Sequence, residues 1–213
     1  MNVKRMAMLT CLTVCILSGA ILITLLCKPL FLWQLSNLDT QVLVGLTHEQ
    51  VSQNYDVLLG YLLNPFQSVL AMPNIPVSAQ GAFHFFEVKQ LFLLNNGIFV
   101  LSLVGSILVL FRIKKYQDEA WFKGVYRIMI FLPIVIVIVL SMGFNYWFVL
   151  FHHVFFNNDA WLFNPVTDPI ILILTEDFFL GCFIMVFGIV EISFIVLWWY
   201  FRGSSSNCVG GEK

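Results

Sequence analysis

Four long apolar runs set the pattern of this chain, and three more polar stretches separate them. Met6 to Cys27 is almost wholly apolar, as are Leu91 to Phe111, Ile128 to Leu150 and Phe178 to Phe201. Each is close to the ~20 residues that carry a helix across a bilayer core of about 30 Å. The spacing predicts transmembrane helices at about 6–27, 91–111, 128–150 and 178–201, with Pro133 near the start of the third. Met6–Cys27 reads as a retained helix: a cleavable signal has an apolar core of only about 7–15 residues followed by a small-residue site, and Leu25, Leu26 and Cys27 offer none.

The stretch from residue 29 to about 89 mixes apolar and polar residues. Thr47 followed by Gln50 is a capping-box signature, and Val51, Tyr55, Leu58, Leu59 and Leu62 then recur at helical spacing, which predicts an amphipathic helix over 48–63. Pro65 ends it, and the MPNIP segment is extended or turned because residues before proline avoid the helical region. Ser78 to Gly81 starts the next helix. A connection this long in a small membrane protein reads as a folded cap. A second polar connection spans 151–176, and a short charged one spans 112–127.

Composition fixes the class. Hydrophobic residues make up 60% of the 213 residues and charged residues 11%, against roughly 45–50% and about 25% in soluble domains. A net charge of −1 gives no reason to expect nucleic acid. Lysines and arginines are asymmetric: Lys4, Arg5, Arg112, Lys114, Lys115, Lys123, Arg127, Arg202 and Lys213 fall on one side of the four-span topology, and only Lys28 and Lys89 on the other. The positive-inside rule then puts both termini in the cytoplasm. The chain reads as an all-α membrane protein of one domain, 1–213. It has four transmembrane helices, an extracellular cap at 29–89 formed by the loop between helices 1 and 2, and a disordered cytoplasmic tail at 203–213. No internal repeat favours a transporter. The cysteines (11, 15, 27, 182 and 208) sit outside the polar connections, so no structural disulfide is expected; Cys11 and Cys15 share a helix face as packing residues.

All four histidines, His48, His84, His152 and His153, fall on the outer side. His84 opens the second span and His152–His153 close the third. Helices joined by a short connection pack side by side, which brings His84 near one of that pair. Adjacent helical residues point about 100° apart, so only one of the two faces the bundle squarely. Histidine titrates near neutral pH and moves protons; the plainer reading is a polar ring that suits the headgroup layer. Glu87 shares a face with His84 and could accept its ring N–H. Lys89 could meet an anionic headgroup or snorkel at a helix end. Glu191 lies within the fourth span, where an ionisable side chain is a candidate for function or for a structural hydrogen bond. Asp168 is a turn or cap residue within reach of orienting a histidine. Phe83, Phe85, Phe86, Trp147, Phe151, Phe155 and Trp161 form an interfacial belt, a pocket wall, or both.

Two segments carry a family resemblance: HFFEVKQLF from His84, and FHHVFFNNDAWLFNPVTDPIILIL from Phe151. With four helices and a cap between the first two, they resemble the lipoprotein intramolecular transacylases, small bacterial membrane enzymes. The resemblance implies transfer of the sn-2 acyl chain of a diacylglyceryl-modified lipoprotein to the α-amino group of its N-terminal cysteine, with no cofactor and no metal. It implies catalytic roles for His84 and His152, with His153 as the register alternative. Glu87 stands where the family has an aspartate. Glu87, Lys89, Phe85, Trp147, Phe151, Phe155 and Trp161 would contact the substrate. The partners implied are diacylglyceryl lipoproteins and membrane lipid, and the chain would act as a monomer in the bacterial cell membrane. Two other readings share the topology: a non-enzymatic tetraspan scaffold with an extracellular interaction cap, and a zinc-dependent membrane hydrolase using His84, one of the histidine pair and a carboxylate.

Overall fold

The computed structural model describes residues 3–116 and 119–204, with side chains for 3–112 and 128–200. Among the described residues every regular element is helical: α1 (Val3–Leu26), α2 (Lys28–Leu35), α3 (Thr40–Val44), α4 (His48–Leu63), α5 (Ala79–Tyr116), α6 (Glu119–Ser141), α7 (Phe144–Phe155) and α8 (Glu176–Ser204), with a 3-10 turn at Pro169–Leu172 before α8. Val3–Leu26, Ala79–Arg112 and Glu176–Tyr200 are each long and apolar enough to cross a membrane. Ile128–Ser141 and Phe144–Phe155 add a fourth span if the pair, broken between them, counts as one. The expected third crossing at 128–150 is therefore interrupted at Met142–Gly143, and the second belongs to a helix that starts well before residue 91. Most of the expected tail, 205–213, lies outside the described residues, and α8 reaches Ser204.

The chain divides into two compact units. The first comprises Met1–Ile21, Gly97–Ser141 and Phe183–Lys213. Its core gathers Met8, Leu12, Ala20, Val190 and Phe194. Small residues let its helices approach: a Cβ on Gly105 would lie 2.7 Å from the Cys11 sulfur, and one on Gly19 2.9 Å from the Phe99 ring. Close packing over small residues is how helices associate where lipid supplies no hydrophobic drive. The Ser106 hydroxyl donates to the Cys11 carbonyl at 3.3 Å. Cys11, Cys15, Cys27 and Cys182 are free thiols. One carboxylate oxygen of Glu191 is buried without a hydrogen-bond partner among the described residues.

The second unit comprises Leu22–Asn96 and Met142–Cys182. Its core is built on Phe31, stacked on Tyr55 at 3.7 Å and edge-on to Phe178 at 5.9 Å, with Val51, Leu58, Leu62, Ile75, Ile170 and Ile173 around them. The apolar face of α4 expected from periodicity is the buried one. Its capping box is formed: the Gln50 N–H donates to Thr47 Oγ1 at 3.3 Å and the Thr47 N–H to Gln50 Oε1 at 3.0 Å. Asn64 ahead of Pro65 is extended, with φ −94° and ψ 108°, and stops the helix. The 64–78 segment has no regular structure but is pinned. Fully buried Asn54 accepts from the N–H groups of Asn74 and Ile75 at 3.0 and 3.1 Å and donates to the Gln50 carbonyl at 2.6 Å. Burial pushes the Tyr55 phenol well above its ordinary pKa, so it stays neutral.

Candidate active site: a buried histidine pair

The start of α5 is held from outside the helix. Asp168, only 2% exposed, accepts the Ser78 N–H at 2.7 Å on one oxygen and the Thr167 hydroxyl at 2.8 Å on the other. The Ser78 hydroxyl in turn accepts the Gly81 N–H at 2.9 Å. A carboxylate at a helix N-terminus is favoured by the helix dipole. The contact leaves no room for a side chain at 81, since a Cβ there would fall 2.3 Å from Asp168 Oδ1. Asp168 is thus a cap residue: both of its oxygens are engaged at the first turn of α5, one turn before His84.

His84 and His152 come together. Their ring centroids are 5.7 Å apart at 36°, and the residues are 7% and 8% exposed. His153, the next residue on α7, is exposed and meets only the edge of Trp161, at 5.7 Å, among the ring contacts of the described residues. His152 Nδ1 lies 2.6 Å from the Phe148 carbonyl one turn earlier. A carbonyl only accepts, so Nδ1 carries the hydrogen and Nε2 of the neutral ring keeps its lone pair. His84 Nδ1 is buried and has no hydrogen-bond partner among the described residues. Aromatic rings enclose the pair: Phe156 at 4.7 Å and Phe163 at 5.5 Å from His84, Phe148 at 4.3 Å and Trp161 at 4.5 Å from His152.

The loop that supplies Trp161 and Phe163 is sewn to α5 on both sides of His84. Gln80 donates to the Asp159 and Leu162 carbonyls at 3.2 and 3.3 Å. Glu87 accepts from the Asn158 amide at 2.9 Å, and Asn158 Oδ1 accepts the Ala160 N–H at 2.9 Å. Gln80, His84 and Glu87 are four and three residues apart, hence on one helix face. That face is the seat of the loop.

This arrangement revises several expectations. Glu87 pairs with Asn158 and not with a His84 ring nitrogen. Lys89 is 3% exposed; its ammonium donates to the Gln67 carbonyl and sits 4.4 Å from the Tyr61 ring, so it neither snorkels nor lies open to a headgroup. Phe83, Phe86 and Phe155 are about half exposed or more and do not close on the pair, although Phe155 backs Phe151 at 4.7 Å. Phe151 meets His152 edge-on at 5.5 Å, buried Phe85 stands 6.1 Å from His84, and Trp147 sits edge-on to Tyr146 at 5.3 Å. His48 lies at the start of α4, its Nε2 2.9 Å from the Leu38 carbonyl. Sequence reasoning missed Phe148, Phe156, Phe163, Gln80 and Asn158. Phe148 and Phe156 stand four residues either side of His152, and Gln80 four before His84, so helical spacing alone points to them. Phe163 and Asn158 lie in a loop with no periodicity to read. Among the described residues no three His, Cys, Asp or Glu side chains converge as a metal site would require.

An all-helical membrane protein with two buried imidazoles in an aromatic enclosure is the class that fold and site define. A family model described as lipoprotein intramolecular transacylase Lit matches residues 6–179, and the chain belongs to that family. It is thus an acyltransferase of the membrane. The solved in meso structure of the membrane-integral lipoprotein intramolecular transacylase Lit from Bacillus cereus is 26% identical, with a TM-score of 0.83 over 95% of this chain and 99% of that one. Two variants of the same Bacillus cereus protein, with one histidine changed to arginine or to alanine, are 25% and 26% identical. Their TM-scores are 0.82 and 0.81, over 98% and 95% of this chain and 94% of each of theirs. No curated protein sequence matches it.

Proposed function

We propose that this chain transfers the sn-2 acyl chain of a diacylglyceryl-modified lipoprotein to the α-amino group of the lipoprotein's own N-terminal cysteine, leaving a lyso-form lipoprotein. The observation that carries the reading is the 5.7 Å pairing of buried His84 and His152, with Nε2 of His152 left as an open base. Nε2 of His152 takes a proton from the α-amine as it attacks the ester carbonyl. An α-amine has a pKa of about 7.7–8.0; burial lowers the pKa of His152, so its ring rests neutral and can accept that proton as the amine attacks. His84, held neutral at a pKa of about 4 by burial and by the neighbouring His152, passes a proton to the departing glycerol oxygen as it takes one from His152. Donor and acceptor belong to one molecule, so the reaction as written calls for no cofactor. The enzyme's main task is to fold the headgroup so that amine and carbonyl meet, which supplies roughly 7–11 kcal/mol in well-placed intramolecular reactions. Phe85, Trp147, Phe151 and Phe155 flank the acyl chains, Trp161 contacts the ester, and Glu87 and Lys89 hold the surrounding loops.

In this reading four spans cross a bacterial cell membrane with both termini inside, and the 29–89 segment is an extracellular cap over the site. The basic residues gathered on one side support it. So does the length of α5: 38 residues rise about 57 Å, well beyond a core of about 30 Å, which leaves room for the His84 turn outside hydrocarbon. The working unit is a monomer among membrane lipids.

Mass spectrometry of a lipoprotein's N-terminal peptide, from cells with and without the protein, tests the reaction directly. His84→Ala and His152→Ala each lower lyso-form production by about 10²-fold or more, the scale of lost general acid or base catalysis. His153→Ala retains most of it. Wild-type yields from both of the first two variants would sink the assignment, and a dead His153 variant beside an active His152 variant would reverse the register.

A further inference from the structure

We propose that the indole N–H of Trp161 is the oxyanion donor of this site, taking up the ester carbonyl oxygen as it gains charge. The inference rests on the acyl-transfer reading above and adds a group to it. Indole Nε1 only donates, and a buried indole N–H ordinarily finds an acceptor. The Nε1 atom of Trp161 is buried and has none among the described residues, and the residue is 9% exposed. A tryptophan serving only as an interfacial anchor keeps its N–H among headgroups; this one is turned inward. Its ring lies flat on His152 at 4.5 Å and 25°, so the indole that carries the free donor rests against the proposed base. The other polar atoms left open here are complementary: His84 Nδ1 and one oxygen of Glu87 are also buried without partners. A donor and an imidazole nitrogen fit a substrate group that offers both a carbonyl oxygen and an amine.

The donor is also fixed in advance. Gln80 grips the backbone on both sides of Trp161, at Asp159 and Leu162, and Glu87 holds Asn158. Both grips come from the helix that carries His84, so the N–H and the two imidazoles share one frame. Donors held in place before charge develops are what make an oxyanion site effective. In the step itself the amine nitrogen bonds to the carbonyl carbon and gives one proton to His152. The carbonyl π electrons move to oxygen, which accepts the Trp161 N–H without taking its proton. Collapse of that intermediate re-forms the carbonyl and breaks the carbon–oxygen bond to glycerol, whose oxygen takes a proton from His84 as His84 takes one from His152, so both rings end neutral.

Two variants of the full-length protein in lipid test this on a synthetic diacylglyceryl-cysteinyl lipopeptide. Trp161→Phe keeps a ring on His152 and loses the N–H. Replacement of Trp161 by 3-benzothienylalanine keeps the bicyclic shape, with sulfur where the N–H was, and decides the matter if the Phe variant fails to fold. Both are expected to lower kcat by about 10²–10³-fold with KM little changed, as for an interaction made only in the transition state. Near-normal kcat in a folded variant, or a loss confined to KM, overturns the proposal. His84→Ala and His152→Ala in the same assay separate the failures. If those are dead and the Trp161 variants active, only the oxyanion assignment falls; if those are active, the acyl-transfer reading itself has failed.

Discussion

Glu87 shows at the residue scale how a plausible role is displaced by a better partner. It lies on the His84 face of α5, yet its carboxylate accepts the Asn158 amide at 2.9 Å and steadies the loop that carries Trp161. Glu87→Gln keeps an oxygen for Asn158 and is expected to retain most activity. Glu87→Ala leaves that amide unpaired, at a cost of about 1–3 kcal/mol, and is expected to lower both the thermal midpoint and acyl transfer. Equal activity in the two variants would show that the loop does not depend on this contact. His84 and a partner from the His152–His153 pair were legible as candidates, because few residue types move protons at neutral pH and these lie at facing ends of adjacent spans. Asn158 was not, since it sits 71 residues from Glu87 and nothing local marks it. Preference for His152 over His153 came from the family resemblance; the structure buries His152 against the Phe148 carbonyl and leaves His153 exposed, both products of how α7 is rotated.

The decisive junction among the elements is the first turn of α5, where Asp168 receives the Ser78 N–H across the Gly81 backbone. Gly81→Ala would force a methyl into the carboxylate. Overpacking of this kind costs about 1–3 kcal/mol; here it also tilts the turn that leads to His84. The expected outcome is a lower thermal midpoint with a fall in kcat, measured on purified protein. Unchanged melting and turnover would mean that the clamp yields freely. Helix α4 was readable to its ends because its capping box and Pro65 are local signals. The break between α6 and α7 was not: Ser141, Met142 and Gly143 interrupt apolar runs on either side without a proline or a charge. Pro133, the residue that would have suggested a break, lies inside α6. The 64–78 segment read as irregular, and so it is, but its anchoring by Asn54 depends on a partner 20 residues away.

At the scale of the whole molecule, labelling tests the proposed sidedness. Val69→Cys, at an exposed position of the 64–78 segment, in an otherwise cysteine-free chain, should react with a membrane-impermeant maleimide on intact cells. A chain retaining only Cys208 should react only after permeabilisation. The reverse pattern would invert the topology and place the histidines in the cytoplasm.

The sequence by itself determined that this is an all-helical membrane protein with a polar segment between its first two spans, because apolar length and lysine and arginine placement are local quantities that the bilayer reads directly. It also named the two histidines and, through the segments around them, the family. Tertiary structure alone decided which imidazole faces which, which aromatics enclose them, and that Gln80 and Glu87 hold the Trp161 loop against α5. Most of those contacts join residues far apart in the chain and are set by helix rotation and loop packing, which helical spacing does not fix beyond the positions one turn from each histidine.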